Sequence, residues 1–246
     1  MSITSRQKKA PALVLRQAPV ATRPTVVRLA TASVLAGMAI AASAGTAAAA
    51  PAAPLPTFTG TSSLEALLLN GREAGSLLGA RRLVETKSGN RLSGGTIEPS
   101  ECTGAYAPYA AAAYTDTDVE DVAFSVVSDG TDANLIVSEA VVQLADKREA
   151  LAHMKATANA WADCKGMTIT SGEGQDWVLG TPWINEDRTI VTLSQTAANG
   201  AGTCERAIAS YRDIFIDVMS CSSGRAEGQA AKITQAIADK ADDQWA

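Results

Sequence analysis

The chain has 246 residues, 46% of them hydrophobic and 4% aromatic, with four cysteines, one histidine and a formal net charge of −5. An acidic chain repels phosphate backbones and anionic lipid heads, so a nucleic-acid partner is excluded. The length suits one hydrophobic core, and no internal repeat is visible.

Residues 1–28 carry Arg6, Lys8, Lys9, Arg16, Arg23 and Arg28 without an acidic residue, and run into "LATASVLAGMAIAASAGTAAAA". A basic stretch ahead of an apolar one is the pattern of a secretory signal peptide. From Leu29 to Ala44 the run is free of charge but rich in Ala, Ser, Thr and Gly. It is shorter and less apolar than the roughly 20 residues of a spanning helix. Residues 1–49 are read as a signal peptide cut after Ala49, with the small residues Ala47 and Ala49 at the −3 and −1 positions. No cysteine precedes Cys102, so the lipid-attachment signal of a lipoprotein is absent and release is expected. Loss of the six basic residues takes the formal charge from −5 to −11. Residues 50–61, "APAAPLPTFTGT", read as a flexible lead-in to a domain over 62–246.

Ser62 or Ser63 is expected to cap "LEALLLNGREAGSLLGA", whose glycines split it into two brief helices with Leu64, Leu67, Leu68, Leu77 and Leu78 as core candidates. "VETKSGNRLSGGTIEPSEC" reads as loop, and "TGAYAPYAAAAY" as a short helix interrupted at Pro108. "DVAFSVVS" and "LIVSEAVVQL" flank the turn residues "DGTDAN", which makes a β-hairpin.

Asp146, followed three residues on by Glu149, is a helix-start signature. The helix should reach about Cys164, with Leu151, Met154, Ala158 and Trp161 on the buried face and Gly166 as the left-handed cap. "MTIT", "DWVLGTPWI" and "RTIVTLSQT" read as strands whose short connections make them antiparallel neighbours. "CERAIASYRDIFIDVMSC" reads as a last hairpin in which opposing positions sum to 425, so Ala207 faces Val218, Ala209 faces Ile216 and Cys204 faces Cys221. A final helix from about Arg225 to Asp242 buries Ala230, Ile233 and Ile237.

Four cysteines after a secretory signal favour two disulfides. Spacings of 62, 40 and 17 residues contain no metal-binding knuckle. The hairpin register puts Cys204 against Cys221, within bridging reach, and elimination pairs Cys102 with Cys164.

"WADC", "WVLG", "TLSQ", "CERAIASYRDIFIDVMSC" and "GQAAKITQAIADKA", in that order, resemble the PknH-like extracellular sensor domain family over roughly Leu64 to Asp242. The family comprises extracytoplasmic ends of some mycobacterial-type receptor Ser/Thr kinases together with free-standing exported proteins. The resemblance implies an α+β fold, a single antiparallel sheet flanked by helices, with two disulfides formed by Cys102, Cys164, Cys204 and Cys221 and a cleft for an unidentified ligand. The chain lacks a kinase domain, so phosphotransfer does not follow.

Catalysis needs a nucleophile, a base and a stabiliser in mutual reach. The lone His153 lies about 200° round the helix from Leu151 and is expected to point to water, which weakens any Ser-His or Cys-His reading. Asp116, Asp118, Glu120 and Asp121 form an acidic cluster better read as a solvated turn than as acid/base or calcium chemistry. Of Trp161, Trp177, Trp183 and Trp245, Trp161 is core, while Trp183, after Pro182 at a strand edge, is the candidate for an exposed ligand platform. "SGEGQ" and "NGAGT" are turns, lacking the phosphate-loop form.

The expected protein is therefore secreted, monomeric, non-catalytic and without a cofactor or metal, binding a small molecule or cell-envelope component. The alternatives are a secreted hydrolase using two carboxylates about 5–10 Å apart, and a wall-associated structural role.

Overall fold

The computed structural model describes residues 63–81, 83–95, 97–130, 134–187 and 189–245. The signal peptide, the lead-in and the middle of the "DGTDAN" turn lie outside the described residues.

The leucine-rich start gives a 3-10 turn, Glu65–Leu67, and then helix α1, Gly71–Leu78. The cap is Asn70 rather than a serine. Its side chain accepts from the Arg72 and Glu73 N–H groups while Glu73 accepts from the Asn70 N–H, a complete capping box. Leu64 and Leu67 are buried as expected, Leu68 and Leu78 pack at the core's margin, and Leu77 is exposed.

Two strands occupy the stretch read as loop, β1 over Val84–Gly89 and β2 over Ile97–Glu98. They escape pattern reading because they sit at the two edges of the sheet, where β1 exposes nearly every side chain and shows no alternation. Helix α2, Thr103–Tyr106, and a 3-10 turn, Ala111–Tyr114, bracket Pro108. Strands β3, Val119–Ser128, and β4, Leu135–Leu144, form the expected hairpin, and helix α3 runs over Lys147–Asp163 with Asp146 as N-cap.

The remaining strands are β5, Thr168–Ser171, β6, Asp176–Leu179, β7, Trp183–Ile184, β8, Ile190–Ala197, β9, Thr203–Tyr211, and β10, Ile214–Ser222. Helix α4, Gln229–Trp245, closes the described chain. It starts four residues later than the pattern suggested, because Gly228 takes a left-handed φ of 78° immediately before it.

Among the described residues these strands make one antiparallel sheet in the order β1-β3-β4-β10-β9-β8-β6-β5-β2, with β7 also pairing with β8. The β9–β10 register keeps the sum of 425 along its whole length.

Helices cover both faces. On one, Ala207, Ala209, Ile214, Ile216 and Val218 meet Ala230, Ile233, Ile237 and Ala241 of α4. On the other, Val191, Leu193, Ile208 and Phe215 meet Ala150, Met154 and Trp161 of α3. Central strands such as "IFIDV" are therefore buried on both sides and read as continuous apolar runs. Cys102 is bonded to Cys164 and Cys204 to Cys221, and no described cysteine is free.

Candidate ligand-binding groove

Strand β8 changes partner along its length, and this opens the site. Its end at Gln195–Ala197 pairs with β6 and its start at Val191–Thr192 pairs with β7. Between them the Gly180 N–H donates to the Ser194 carbonyl at 2.8 Å. A Cβ on Gly180 would lie 2.0 Å from the Ser194 Oγ, so glycine is what lets the chain pass from β6 to β7 this close to β8.

Because side chains alternate along a strand, Val191, Leu193 and Gln195 point to the α3 side while Thr192, Ser194 and Thr196 point to the α4 side. Helix α4 lies over β9 and β10 and reaches only the margin of β8. The three hydroxyl residues are left as the floor of a groove of about 640 Å³, walled by the chain entering α4 from Arg225 to Ala231. That volume is within the usual range of small-molecule sites. Trp183 lies directly opposite Thr192 across β7–β8, hence on the same face, and is 58% exposed.

The wall is fixed by side chains of β9. The Thr203 hydroxyl donates to the Gly224 carbonyl at 2.8 Å and accepts from the Ala226 N–H at 3.1 Å. The Glu205 carboxylate accepts from the N–H groups of Gly228, Ala230 and Ala231 at 2.8, 2.9 and 3.3 Å, complementing the positive end of α4. By contrast, the hydroxyls of Thr192, Ser194 and Thr196 have no hydrogen-bond partner among the described residues.

On the opposite face the residues of the sequence motifs serve a structural purpose. Arg206 and Asp217 form a buried ion pair, Nε to Oδ1 at 2.8 Å and Nη2 to Oδ2 at 2.6 Å, and the Tyr114 hydroxyl donates to the same carboxylate at 3.3 Å. Arg206 also lies over the Trp161 ring, 5.3 Å from its centre. Arg206 and Trp161 both donate to the Gly104 carbonyl, and Gln195 donates to those of Ala105 and Tyr106. The unpaired carbonyls at the end of α2 are thus satisfied by α3, β8 and β9, next to the Cys102–Cys164 bond. "WADC" and "TLSQ" are parts of this clasp. Arg206 and Asp217 were missed in the sequence, although the 425 register places them diagonally on one face.

His153 does not point to water. Its ring stacks on Tyr114 at 4.8 Å and meets Phe215 edge-on at 4.6 Å, with its Nδ1 3.0 Å from the Thr117 hydroxyl. The buried face of α3 centres on Ala150, Met154 and Trp161, while Leu151 is exposed, which brings His153 to within about 60° of Ala150. Burial first, and Arg206 after it, hold the His153 pKa below its usual value against the pull of Asp217 and Glu149. It borders a shallower depression of about 410 Å³, walled mainly by alanines and by Glu101, Asp116 and Glu149. There Glu149 already accepts from the Asp118 N–H at 3.0 Å.

Of the acidic cluster, Asp121 accepts from the Val122 N–H, and no group of three or more His, Cys, Asp or Glu among the described residues is placed to hold a metal ion. Trp161 is fully buried, while Trp177 and Trp245 are half-buried, the latter stacked on Tyr211 at 6.3 Å.

A disulfide-bonded α+β domain, with one sheet between helices and a groove at a change of strand partner, defines the class. Residues 60–240 match the model of the PknH-like extracellular domain, and the chain belongs to that family. It is similar to the serine/threonine-protein kinase PknH of Mycobacterium tuberculosis, 25% identical over 184 residues, and to that of Mycobacterium bovis, 24% identical. The alignment covers 72% of this chain but 29% and 30% of those kinases, so the chain spans less than a third of their length. The crystal structure of the extracellular domain of PknH from Mycobacterium tuberculosis superposes with a TM-score of 0.68 at 24% identity, over 73% of this chain and 95% of that one. The likeness shows the same fold.

Proposed function

We propose that the protein is an exported, non-catalytic sensor-like domain that holds a ligand in the groove between β8 and the start of α4. The observation that carries this reading is the juxtaposition of a largely exposed Trp183 with three unpaired hydroxyls on an otherwise helix-covered sheet face. A binding role is also supported by what the polar groups near the cavities already do: Glu205 is committed to three backbone N–H groups, and His153 is held between rings. Export is supported by the basic-then-apolar residues 1–49, by the two disulfides and by membership of an extracellular family. No helix among the described residues is long and apolar enough to cross a membrane.

Native mass spectrometry of the protein collected from its own culture medium tests both parts. The expected species begins at or near Ala50 and carries an adduct that a Trp183→Ala variant loses. A full-length, cell-retained species defeats export. An adduct retained by the variant moves the ligand elsewhere, and protein that gains no adduct after dialysis against concentrated medium defeats ligand binding.

A further inference from the structure

We infer that the ligand of this groove is a neutral oligosaccharide, with one sugar ring stacked on Trp183 and its hydroxyls bonded to the row Thr192, Ser194 and Thr196. The inference rests on the groove reading above and adds the chemical class.

Charge decides the first step. The groove is lined by three charged side chains, and each has its partner. Glu205 faces the N–H groups of α4, while Arg225 and Glu227 stand at the rim 3.9 Å apart and more than three-quarters exposed. An anion or a cation entering the groove would find no unmatched charge. This argues against phosphorylated and carboxylated ligands, which require fixed opposite charge for desolvation.

Polarity decides the second. The apolar side chains that face the groove come down to Trp183, Ala226 and Ala231. An acyl chain needs continuous apolar walls, which five threonines and serines on the lining break up. What remains is a ligand that is uncharged, rich in hydroxyls and yet able to cover an aromatic ring. A sugar has that combination, because its ring presents C–H bonds on one face and hydroxyls around its edge.

Geometry sets the size. Thr192, Ser194 and Thr196 occupy alternate positions of β8, so the row spans about 13 Å, and Trp183 stands at its Thr192 end. Each of these hydroxyls can both donate and accept, as sugar hydroxyls do, and all three lack partners among the described residues. A linear row with an aromatic at one end fits a short chain of sugars lying along β8, rather than a single ring.

The test uses the secreted domain with hexasaccharides of glucose, galactose, mannose, arabinose and N-acetylglucosamine, beside oligogalacturonate as the anionic probe and palmitate as the lipid probe. Binding is read by calorimetry and by the chemical shift of the Trp183 indole N–H. At least one neutral chain is expected to bind with a Kd between micromolar and millimolar. Trp183→Ala should weaken it by roughly tenfold or more, Trp183→Phe much less, and the pair Ser194→Ala with Thr196→Val by several-fold. These positions are at the surface, so unchanged circular dichroism and melting temperature will show that the fold persists. Binding of palmitate or oligogalacturonate in place of every neutral chain overturns the sugar assignment, as does silence towards all five neutral chains. If that silence accompanies a native adduct lost by Trp183→Ala, the groove reading stands and only the ligand class falls. Sugar binding indifferent to Trp183→Ala overturns the placement as well.

Discussion

Glu139 is a carboxyl whose surroundings oppose its ordinary chemistry. It sits on β4 beneath the Leu69 N–H, which donates to its Oε2 at 2.8 Å, while its Oε1 is buried without a partner. Desolvation pushes its pKa up to about 8, against the smaller downward pulls of the Leu69 N–H and Lys240 and with the upward push of Glu73. The folded protein therefore keeps this carboxyl protonated at neutral pH, whereas the unfolded chain releases the proton near the ordinary glutamate value of 4.5. A folded-state pKa raised above the unfolded one gives stability that is full at low pH and declines as the pH rises between the two values. Between pH 5 and pH 8 the wild type should lose about 3 kcal/mol that a Glu139→Gln variant keeps. Urea unfolding at pH 5, 6, 7 and 8, taken as the difference between the two proteins, cancels the separate contribution of His153. A difference that stays flat across this range would show that Glu139 ionises normally.

At the level of elements, the clasp at the end of α2 gives two short motifs of the sequence, "WADC" and "TLSQ", a structural purpose. Gln195 is 1% exposed and spends its amide on the Ala105 and Tyr106 carbonyls, at 2.7 and 2.9 Å. Replacing it with leucine keeps the volume but leaves both carbonyls buried and unpaired, at a cost of about 2–3 kcal/mol. Hydrogen exchange should rise across 103–114 while β9 and β10 stay protected; uniform loss of protection would mean that the clasp supports the whole core. The hairpins were legible because period-two patterning and a single register sum constrain every pair at once. The buried face of α3 was legible only in part, since alanine carries little hydrophobic signal. Ala150 therefore passed unnoticed, Leu151 was assigned inward in its place, and His153 followed that error outward. The edge strand β1 was not legible, because a strand with one neighbour and exposed side chains has no apolar face to betray it, and β2, with Ile97 buried, is only two residues long. In the groove, Trp183 stood out next to Pro182, and the alternation of "TIVTLSQT" could have revealed the hydroxyl row. Which face α4 leaves open depends on where a helix 30 residues further on begins, and local pattern cannot carry that.

For the whole molecule, the two disulfides act on very different lengths of chain. Cys102–Cys164 spans 62 positions and joins α2 to the end of α3, two elements that approach only in the folded protein. Cys204–Cys221 spans 17 within a hairpin that nine backbone pairs already align. If a bridge stabilises by removing freedom from the unfolded chain, the logarithmic dependence on loop length gives about 4 kcal/mol for the long bridge and about 3 for the short one. Residual structure in the unfolded chain narrows this gap, and it does so unevenly. A hairpin with strong local pairing keeps its cysteines near each other even when unfolded, so the short bridge has less entropy to remove. The long bridge has a second effect, because it sits beside the carbonyls that Arg206, Trp161 and Gln195 hold, and its loss frees the segment they grip. Cys102→Ser with Cys164→Ser should therefore destabilise the domain by at least 1 kcal/mol more than Cys204→Ser with Cys221→Ser, as read by urea unfolding of the two double variants. If the short bridge proves the costlier to remove, packing within the hairpin outweighs loop entropy in this fold.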